Sequence, residues 1–173
     1  LIIKSPGIPT FVFEGHCDLN TITSQTDIFL QVYHDQTFAV TGTKGKSTST
    51  ALLTALLRTK YPDVIMAGNM GIPLFDIIPQ IREGLPIVCE FSCHQLENIH
   101  RGPHIGLILN LHQEHLDHYH SYEDYKMAKM QLFLRQQLGE DWCYFCGDDP
   151  DLSEMLRKVE ASGRNYRCYG LDD

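Results

Sequence analysis

The stretch "AVTGTKGKSTST", residues 39–50, decides the fold of this chain. An apolar, strand-like run leads into its glycines, and a run with leucines at helical spacing, residues 48–60, follows them. Glycines let the backbone N–H groups of a turn face a phosphate, and the N-terminus of a helix adds a favourable dipole. Lys46 can then reach the outer phosphates of a nucleotide, and the Ser47 hydroxyl can bind Mg²⁺. The spacing G-x-x-G-K-S therefore predicts a phosphate-binding turn, with a plain glycine-rich turn as the alternative.

Apolar runs alternate with helical patterns along the rest of the chain. The runs predicted to be strands are residues 1–9, 38–40, 64–67, 85–92, 104–111 and 142–146. The segments predicted to be helical are residues 24–33 with Ser24 as N-cap, 48–60, 75–81, a long helix after the N-cap Ser121, and 152–161. Because the strands are continuously apolar, we predict an α/β fold with a mostly parallel sheet and helices on both faces.

Composition excludes several classes of protein. The 173 residues are 43% hydrophobic and 21% charged, with a net charge of −8 and no cluster of lysines and arginines, so nucleic acid is not an expected partner. No apolar run approaches the roughly 18–20 residues that cross a bilayer, so no membrane insertion is expected. The six cysteines form no regular framework and no secretory signal is present, which favours reduced thiols in the cytoplasm. The opening "LIIKSPGIPT" lacks an initiator Met, and we expect a piece of a longer protein.

Two polar segments that follow strands contain candidate metal ligands. Glu90 ends the apolar run "PIVCE" within the predicted strand 85–92, and ligands bind outside the carboxyl ends of parallel strands. It is either a ligand for Mg²⁺ or a solvated strand end, and the phosphate-binding turn favours the ligand. The histidine-rich run "NLHQEHLDHYH", residues 110–120, lacks the spacing of a zinc site. We expect most of its histidines to be solvated and one of them to help hold a second Mg²⁺.

Two further features have competing interpretations. Lys129 lies among apolar residues on the helix after Ser121, either as a lysine whose stem packs while its amine reaches solvent or as a partly buried amine. Burial would lower its pKa and leave a neutral amine that can react with CO₂ to give a carbamate, an anionic metal ligand, although the residues alone do not select this interpretation. Cys143 and Cys146 form a lone C-x-x-C whose thiols point to opposite faces of a strand, so we interpret them as core packing.

Six motifs resemble, in order, those of the Mur ligase family. "TGTKGKST" resembles the T-G-T-N-G-K-T/S turn, "GNMGIP" the G-N-I-G-x-P loop and "CEFSCHQLE" the E-L-S-S-F-Q-L-E run of that family. "LILNLHQEHLDHY" is similar to I-L-N-x-x-x-D-H-L-D-R, "SYEDYKMAKMQLF" to the S-x-x-x-Y-x-x-A-K-x-x-I/F helix and "CGDDP" to N-x-D-D. The resemblance covers nearly the whole chain and implies the P-loop-containing central ATP-binding domain. "SPGIP" and the S-x-Q-L-E variant favour the members that add D-glutamate.

The resemblance also implies a role for each matching residue. Lys46 would hold the β- and γ-phosphates, and Ser47 and Glu90 would bind one Mg²⁺. His115 would bind a second Mg²⁺ together with carbamylated Lys129. The implied catalytic residues are Lys46, Lys129 and His115, the implied nucleotide-binding residues are Gly42, Thr43, Lys44, Gly45, Lys46, Ser47, Thr48 and Asn69, and the implied substrate-binding residues are Asn69, Ser92, Gln95 and Asn110.

The reaction implied by the resemblance is ADP-forming amide ligation in peptidoglycan precursor synthesis, and hence in cell-wall formation, cell shape and cell division. ATP phosphorylates the carboxylate of UDP-N-acetylmuramoyl-L-alanine, and the amine of D-glutamate then displaces phosphate. The implied cofactors are ATP and Mg²⁺ at two sites, and the implied partners are the UDP-linked muramoyl substrate and an amino acid, in a monomeric cytoplasmic enzyme. The alternatives are a related Mur-type ligase with another acid or amino acid, and a nucleotide-binding module without ligase activity.

The resemblance finally implies a division of the chain. Residues 1–9 would end an N-terminal UDP-binding domain, residues 10–37 would form a linker and first helix, and residues 38–173 would form an incomplete central domain. The C-terminal domain of the family would be absent, so we expect no ligation by this chain alone. The chain departs from the family motifs at Lys44, Cys93, His94, Glu114 and His118. These departures bear on the acceptor more than on the ATP chemistry.

Overall fold

Eight short strands and five helices follow one another in the computed structural model, which describes residues 1–69, 71–115, 117–160 and 163–170. The strands are β1 (Ile2–Ile3), β2 (Ile22–Thr23), β3 (Thr37–Thr41), β4 (Ile65–Gly68), β5 (Ile87–Glu90), β6 (Ile105–Ile108), β7 (Trp142–Cys146) and β8 (Asn165–Tyr169). The helices are α1 (Gln25–Tyr33), α2 (Lys46–Arg58), α3 (Cys93–Leu96), α4 (Tyr122–Leu134) and α5 (Pro150–Glu160). Single 3₁₀ turns occur at Thr10–Phe13, Leu19–Thr21 and His34–Gln36, and a longer 3₁₀ segment at Leu74–Gln80.

Six of the strands form one sheet in the order β4-β5-β3-β6-β7-β8, and every pair in it is parallel. The prediction of a mostly parallel sheet is therefore confirmed. Val40 on β3 lies opposite Glu90 on one side and Leu107 on the other, and Gly68 on β4 also lies opposite Glu90. The carboxyl ends of β3, β4, β5 and β6 thus meet at one edge of the sheet. Strands β1 and β2 form a separate parallel pair.

The order of the strands also explains which face each helix covers. The connection from β3 to β4 crosses the sheet in one direction, and the connections from β5 to β6, β7 and β8 cross it in the other. Because parallel crossovers are right-handed, α2 lies on one face and α3, α4 and α5 lie on the opposite face. In agreement, α2 packs on β3, β4 and β5, whereas α3 packs on α4, which packs on β6. The prediction of helices on both faces is confirmed.

The fully buried residues of α2 are threonines, whereas its leucines are half-buried or exposed. Thr50 and Thr54 are each 2% exposed, and their hydroxyls donate to the carbonyls of Lys46 and Thr50 in the preceding turn. Leu52 and Leu56, by contrast, are 61% and 68% exposed. The leucine spacing correctly predicted a helix, but the short side chains are the ones that let it lie close to the sheet. The large buried rings, such as Phe29, Tyr125, Phe133 and Phe145, belong to the core on the other face.

Most predicted elements are found, with shifted boundaries. Ser24 and Ser121 cap α1 and α4 through their side chains, as predicted. Residues 75–81 were predicted to be helical, and the structure has a 3₁₀ segment there because Pro79 interrupts regular α-helical bonding. Strand β8 was not predicted, because this outermost strand alternates polar with less polar residues and contains no continuous apolar run. Cys143 is buried and Cys146 is only half-buried, and neither forms a disulfide. Among the described residues, no helix is long and apolar enough to cross a membrane.

Candidate functional site

The glycine turn lies between β3 and α2, at the edge where the strands end. Helix α2 begins at Lys46, two residues earlier than the leucine pattern predicted. Gly45 is its N-cap and has φ 81°, a left-handed conformation that glycine adopts at little cost. The first N–H groups of the helix therefore have no partner within the helix and face the turn. Ser47 and Thr48 are exposed beside them, and Lys46 is half-buried. This arrangement can bind an anionic phosphate.

Asn110, at the end of β6, holds the backbone of the glycine turn. Its Oδ1 accepts hydrogen bonds from the N–H groups of Thr43 (3.1 Å) and Lys44 (2.8 Å), and its Nδ2 donates to the Lys44 carbonyl (3.0 Å). The Thr43 hydroxyl is in turn 2.7 Å from the Tyr125 hydroxyl and accepts from the N–H of His112. Asn110 was predicted to bind substrate, but in this structure its amide is bound to the turn. No sequence pattern predicts this clamp, because it depends on β6 lying beside β3.

Two lysine amines approach the turn from different helices. Lys46 Nζ donates to the Thr43 carbonyl at 2.9 Å, and Lys129 Nζ, on α4, donates to the Gly42 carbonyl at 2.8 Å. Lys129 is 2% exposed, and its Nζ lies 4.9 Å from the centre of the Tyr125 ring. Burial, with the nearby Lys46 charge as a smaller cause, lowers the pKa of Lys129 to about 8. About a tenth of this amine is then neutral at pH 7, which is the form that reacts with CO₂.

Glu90, at the end of β5, is a buried carboxylate with one oxygen left unpaired. It is 1% exposed, and its Oε1 accepts from Asn69 Nδ2 at 3.1 Å. Its Oε2 is buried and has no hydrogen-bond partner among the described residues. A buried carboxylate oxygen without a partner is unfavourable unless a cation or a donor can reach it, so Glu90 fits the predicted Mg²⁺ ligand. The close approach of β4 fixes its place, because a Cβ on Gly68 (φ 112°) would meet the Glu90 carbonyl oxygen.

Three imidazole rings lie against one another next to this carboxylate edge. The His94 ring centre is 4.8 Å from that of His115 and 4.1 Å from that of His118. His118 is buried, with its Nε2 3.4 Å from Glu97 Oε2, whereas the His115 side chain is 45% exposed. As expected, most histidines of this run are exposed, namely His112, His115 and His120, and His118 is the buried exception. Burial, followed by the repulsion of His118 and His115, lowers the pKa of His94 to about 4.

The predicted ligands of the second Mg²⁺, His115 and Lys129, do not surround one common position in the structure. His115 has a left-handed backbone (φ 58°), with its Nε2 4.0 Å from Glu114 Oε2. The Lys129 amine donates to the Gly42 carbonyl. Among the described residues, no three His, Cys, Asp or Glu side chains converge on one metal position. The second metal site therefore stays a prediction that depends on carbamylation of Lys129.

Ser92 and Gln95 form a capping box at the start of α3. The Ser92 hydroxyl accepts from the Gln95 N–H at 3.3 Å, and Gln95 Oε1 accepts from the Ser92 N–H at 3.0 Å. Both residues also line a cavity of about 350 Å³, together with Asn69, His94 and the segment containing Pro6 and Gly7. Three of the four predicted substrate residues thus lie around one cavity, and Asn110 does not. The capping pattern was present in the sequence, since Ser92 and Gln95 are three positions apart.

A buried ion pair joins the first residues of the chain to this region. Lys4, which is 3% exposed, donates from Nζ to Glu97 Oε2 at 2.8 Å and to the Ile8 carbonyl at 2.7 Å. The Thr10 hydroxyl donates to Asn98 Oδ1 at 2.8 Å. These contacts hold the Pro-Gly segment against α3 and so build one wall of the cavity. Lys4 and Glu97 were not singled out in the sequence, because they are 93 positions apart.

The comparisons of this chain with known proteins agree on one family. Residues 40–173 match the family model of the Mur ligase middle domain. The chain is 33% identical over 164 residues to the UDP-N-acetylmuramoylalanine–D-glutamate ligase of Symbiobacterium thermophilum, covering 93% of this chain and 36% of that protein. It is 34% identical over 166 residues to the same-named ligase of Solibacter usitatus, covering 94% and 37%. The chain thus spans about a third of the length of these relatives.

Solved structures show the same fold at lower sequence identity. The crystal structure of MurF ligase from Thermotoga maritima in complex with ADP superposes with a TM-score of 0.63 at 23% identity, covering 86% of this chain and 35% of that one. A UDP-N-acetylmuramate:L-alanyl-gamma-D-glutamyl-meso-diaminopimelate ligase from Neisseria meningitides superposes with a TM-score of 0.59 at 16% identity, covering 85% and 50%. These structures agree with the parallel sheet and the placement of its helices.

Proposed function

This chain belongs to the Mur ligase family, and from that premise we propose that it forms the ATP-binding centre of an amide ligase. The proposed reaction adds D-glutamate to UDP-N-acetylmuramoyl-L-alanine through an acyl phosphate and releases ADP and phosphate. The observation that carries the proposal is the buried, half-paired Glu90 at the same sheet edge as the glycine turn. The relatives named as D-glutamate ligases support this choice of amino acid.

The residues of the turn would bind and orient the triphosphate. The free N–H groups at the start of α2 face the phosphates, and Lys46 would exchange the Thr43 carbonyl for phosphate oxygens. Ser47 and Glu90 would hold one Mg²⁺, which neutralises charge on the phosphates when it is bound. His115 and carbamylated Lys129 would hold the second. Because Asn110 already fixes the turn, the N–H groups need little reorganisation when nucleotide binds.

The cavity beside Asn69 would hold the acid substrate. Asn69 touches Glu90 and lines the cavity, so a carboxylate placed there would lie next to the metal-binding edge. Ser92 and Gln95, which line the cavity, would contact the same substrate. Asn110 would act on it indirectly, by holding the glycine turn in place. After transfer of the γ-phosphoryl group to the carboxylate, the amine of the amino acid attacks the acyl carbon. The C–N bond forms, the acyl C–O bond to phosphate breaks, and the nitrogen loses a proton to solvent as phosphate leaves.

We also propose the division of the chain that the motifs indicate. Residues 1–9 would belong to the end of a UDP-binding domain, residues 10–37 to a linker and first helix, and residues 38–173 to the central domain. The separate β1–β2 pair supports a boundary before the main sheet. ATP and UDP-linked sugars are cytoplasmic metabolites, so we place the reaction in the cytoplasm, as a monomeric enzyme of cell-wall synthesis.

The test is phosphate release by the complete native protein that carries this chain. It is measured with ATP, Mg²⁺, UDP-N-acetylmuramoyl-L-alanine and a panel of amino acids. We expect release with D-glutamate and a loss of at least about 10-fold in Lys46→Met, because a hydrogen bond to a charged group is lost. Lys60→Met, which changes an exposed lysine just beyond the end of α2, is the matched control. Release that does not depend on D-glutamate contradicts the proposed amino acid.

A ligase of the same chemistry with another acceptor is the second candidate. It is favoured by the polar ring of His94 in the cavity wall and by the exposed Lys44 beside the phosphates. Phosphate release with a different acid or amino acid would select it. Nucleotide binding without release in the presence of any acceptor would instead favour a non-catalytic nucleotide-binding module.

A further inference from the structure

We infer that Asp149, just before α5, is a positioning residue for the glycine turn. Its carboxylate holds the loop after β6 in the place from which Asn110 and His112 bind the turn. The inference rests on the proposed function, in which this turn binds the phosphates of ATP. It adds a residue that acts through the loop and not on the nucleotide itself.

The two oxygens of Asp149 bind two different segments of the chain. Oδ1 accepts a hydrogen bond from the N–H of Leu152, in the first turn of α5, and Oδ2 accepts one from the N–H of Leu111, in the loop after β6, each at 3.0 Å. Both bonds are buried, and Asp149 itself is 7% exposed. Asp149 therefore joins the start of α5 to the loop after β6.

Leu111 lies between the two residues that hold Thr43. The N–H of Thr43 donates to the Asn110 carbonyl at 3.0 Å and to Asn110 Oδ1 at 3.1 Å, and the Thr43 hydroxyl accepts from the His112 N–H at 2.8 Å. The Leu111 side chain is 1% exposed, so this residue is the buried anchor of the loop. Because the three residues are consecutive, a displacement of the Leu111 backbone moves both partners of Thr43.

The strand pairing of the sheet ends before this loop. Strand β6 is paired with β3 as far as Ile108 and Thr41, and with β7 as far as Ile108 and Phe145. Beyond those pairs, the acceptor for the Leu111 N–H is the Asp149 carboxylate. Hydrogen bonds to a carboxylate are about twice as strong as those between neutral groups. Asp149 thus continues, with a side chain, the support that the strands give further back.

Capping of α5 explains only one of the two bonds. A helix cap needs one side-chain oxygen, and serine caps a helix about as well as aspartate does. The second oxygen of Asp149 reaches across to Leu111, which the single, shorter hydroxyl of serine cannot do while it caps the helix. Asp149→Ser therefore keeps the cap and removes the bond to the loop.

The experiment measures two quantities in the complete native protein that carries this chain. Amide hydrogen exchange is followed without nucleotide, and the Kd of ADP is measured by calorimetric titration. In Asp149→Ser we expect the amides of Leu111, Thr43 and Lys44 to exchange at least about 5-fold faster, while Leu152 keeps its protection. The Kd of ADP should rise by about 3- to 10-fold.

Asp18→Ser is the matched control. Asp18 is an exposed aspartate that caps the turn Leu19–Thr21 by accepting from the Asn20 N–H, so the variant makes the same change of charge and cap elsewhere. It should leave the exchange and the Kd unchanged. Wild-type exchange at Thr43 and Lys44 in Asp149→Ser overturns the inference. Equally faster exchange at Ala39, in the centre of β3, also overturns it, because the effect is then a general loss of stability.

A double-mutant cycle with Asn110→Ala tests the route of the effect. If Asp149 acts through the loop, its substitution matters little once the Asn110 side chain no longer binds the turn. In the Asn110→Ala background, Asp149→Ser should therefore raise the Kd of ADP by less than about 2-fold. The full effect in both backgrounds would mean that Asp149 acts by another route, which contradicts the inference.

If Asp149→Ser does not fold, Asp149→Asn takes its place. Asparagine keeps the shape of the side chain but has one acceptor oxygen, so either Leu111 or Leu152 loses its partner. Faster exchange at Thr43 and Lys44 must then accompany faster exchange at Leu111. Faster exchange at the turn that accompanies Leu152 alone would overturn the inference, since the cap would be its cause.

The failures of the proposed function and of the inference are distinguishable. If the wild type does not bind ADP, the proposed function fails and the link from Asp149 to the nucleotide fails with it. If the wild type binds ADP and Asp149→Ser binds it equally well, only the inference is overturned. The exchange measurement contains no nucleotide and reports the order of the turn in either case.

Discussion

The glycine turn and the cavity edge lie side by side at the ends of the strands, but they are held in different ways. In the turn, Thr43 and Lys44 are bound by Asn110, and the Gly42 carbonyl is bound by Lys129. At the cavity edge, where Asn69 joins the cavity wall to Glu90, the Glu90 Oε2 has no hydrogen-bond partner among the described residues. The turn is organised by the protein itself, whereas the cavity edge keeps a polar atom whose bonding capacity a ligand can use.

The largest expected effect comes from displacing Glu90 at the cavity edge. In Gly68→Ala, the new Cβ meets the Glu90 carbonyl oxygen, and the backbone at φ 112° is unfavourable for alanine. We expect a loss of about 4 kcal/mol in the free energy of unfolding, measured by chemical denaturation, from steric overlap and backbone strain together.

Gly71→Ala is the matched control for that substitution. Gly71 has a similar φ of 119°, but a Cβ there meets no atom within 4 Å, so it reports backbone strain alone. We expect it to lose about 1–3 kcal/mol. Equal losses in the two variants would mean that the contact with Glu90 is not tight, and the contrast between the two regions would weaken.

The next largest effect is a pH dependence from Lys129, whose amine binds the glycine turn. Its folded pKa is lowered to about 8, so between about pH 8 and pH 10.5 the unfolded state binds more protons. The stability contributed by this residue therefore rises with pH across that window, on the order of 3 kcal/mol in total. Chemical denaturation in CO₂-free buffer gives the free energy of unfolding of the wild type and of Lys129→Met at each pH. The rise with pH that comes from this amine should be present in the wild type and absent in the variant.

Lys126, one turn earlier on α4, is a control of opposite sign. Its hydrogen bond to Glu123 raises its pKa, so its contribution is present below about pH 10.5 and is lost at higher pH. The free energy of unfolding of Lys126→Met should therefore be lower than that of the wild type below about pH 10.5, and the difference should shrink as pH rises. Parallel profiles for the two lysine variants would show that the amine of Lys129 is not desolvated.

The smallest expected effect tests the anchoring of the turn. Asn110→Ala removes three hydrogen bonds to Thr43 and Lys44 and should raise the Kd of ADP by about 3- to 10-fold, because the N–H groups are no longer fixed. Calorimetric titration measures this change. Asn98→Ala loses one bond to Thr10 away from the turn and should leave the Kd unchanged. An unchanged Kd in Asn110→Ala would show that the turn is organised without the clamp.

The comparison also shows what the sequence can predict. The turn with Lys46 and the carboxylate Glu90 were predicted because a local motif and the end of an apolar strand indicate them directly. The clamp by Asn110 and the ring contact between His94 and His118 depend on which strands and loops become neighbours, and local patterns contain no such information. The buried face of α2 was not predicted for another reason. Thr50 and Thr54 are polar residues, but their hydroxyls donate hydrogen bonds to carbonyls of the same helix, so they can be buried.

The buried pair of Lys4 and Glu97 has a mechanical consequence for the cavity. Pro6 and Gly7 form one wall and Ser92 and Gln95 form another, and the pair spans the two with both side chains largely shielded from water. Opening the cavity by moving the first wall would separate two buried charges, at about 3–5 kcal/mol. The pair therefore disfavours any widening of the cavity, and a motion that carries both walls together avoids this cost.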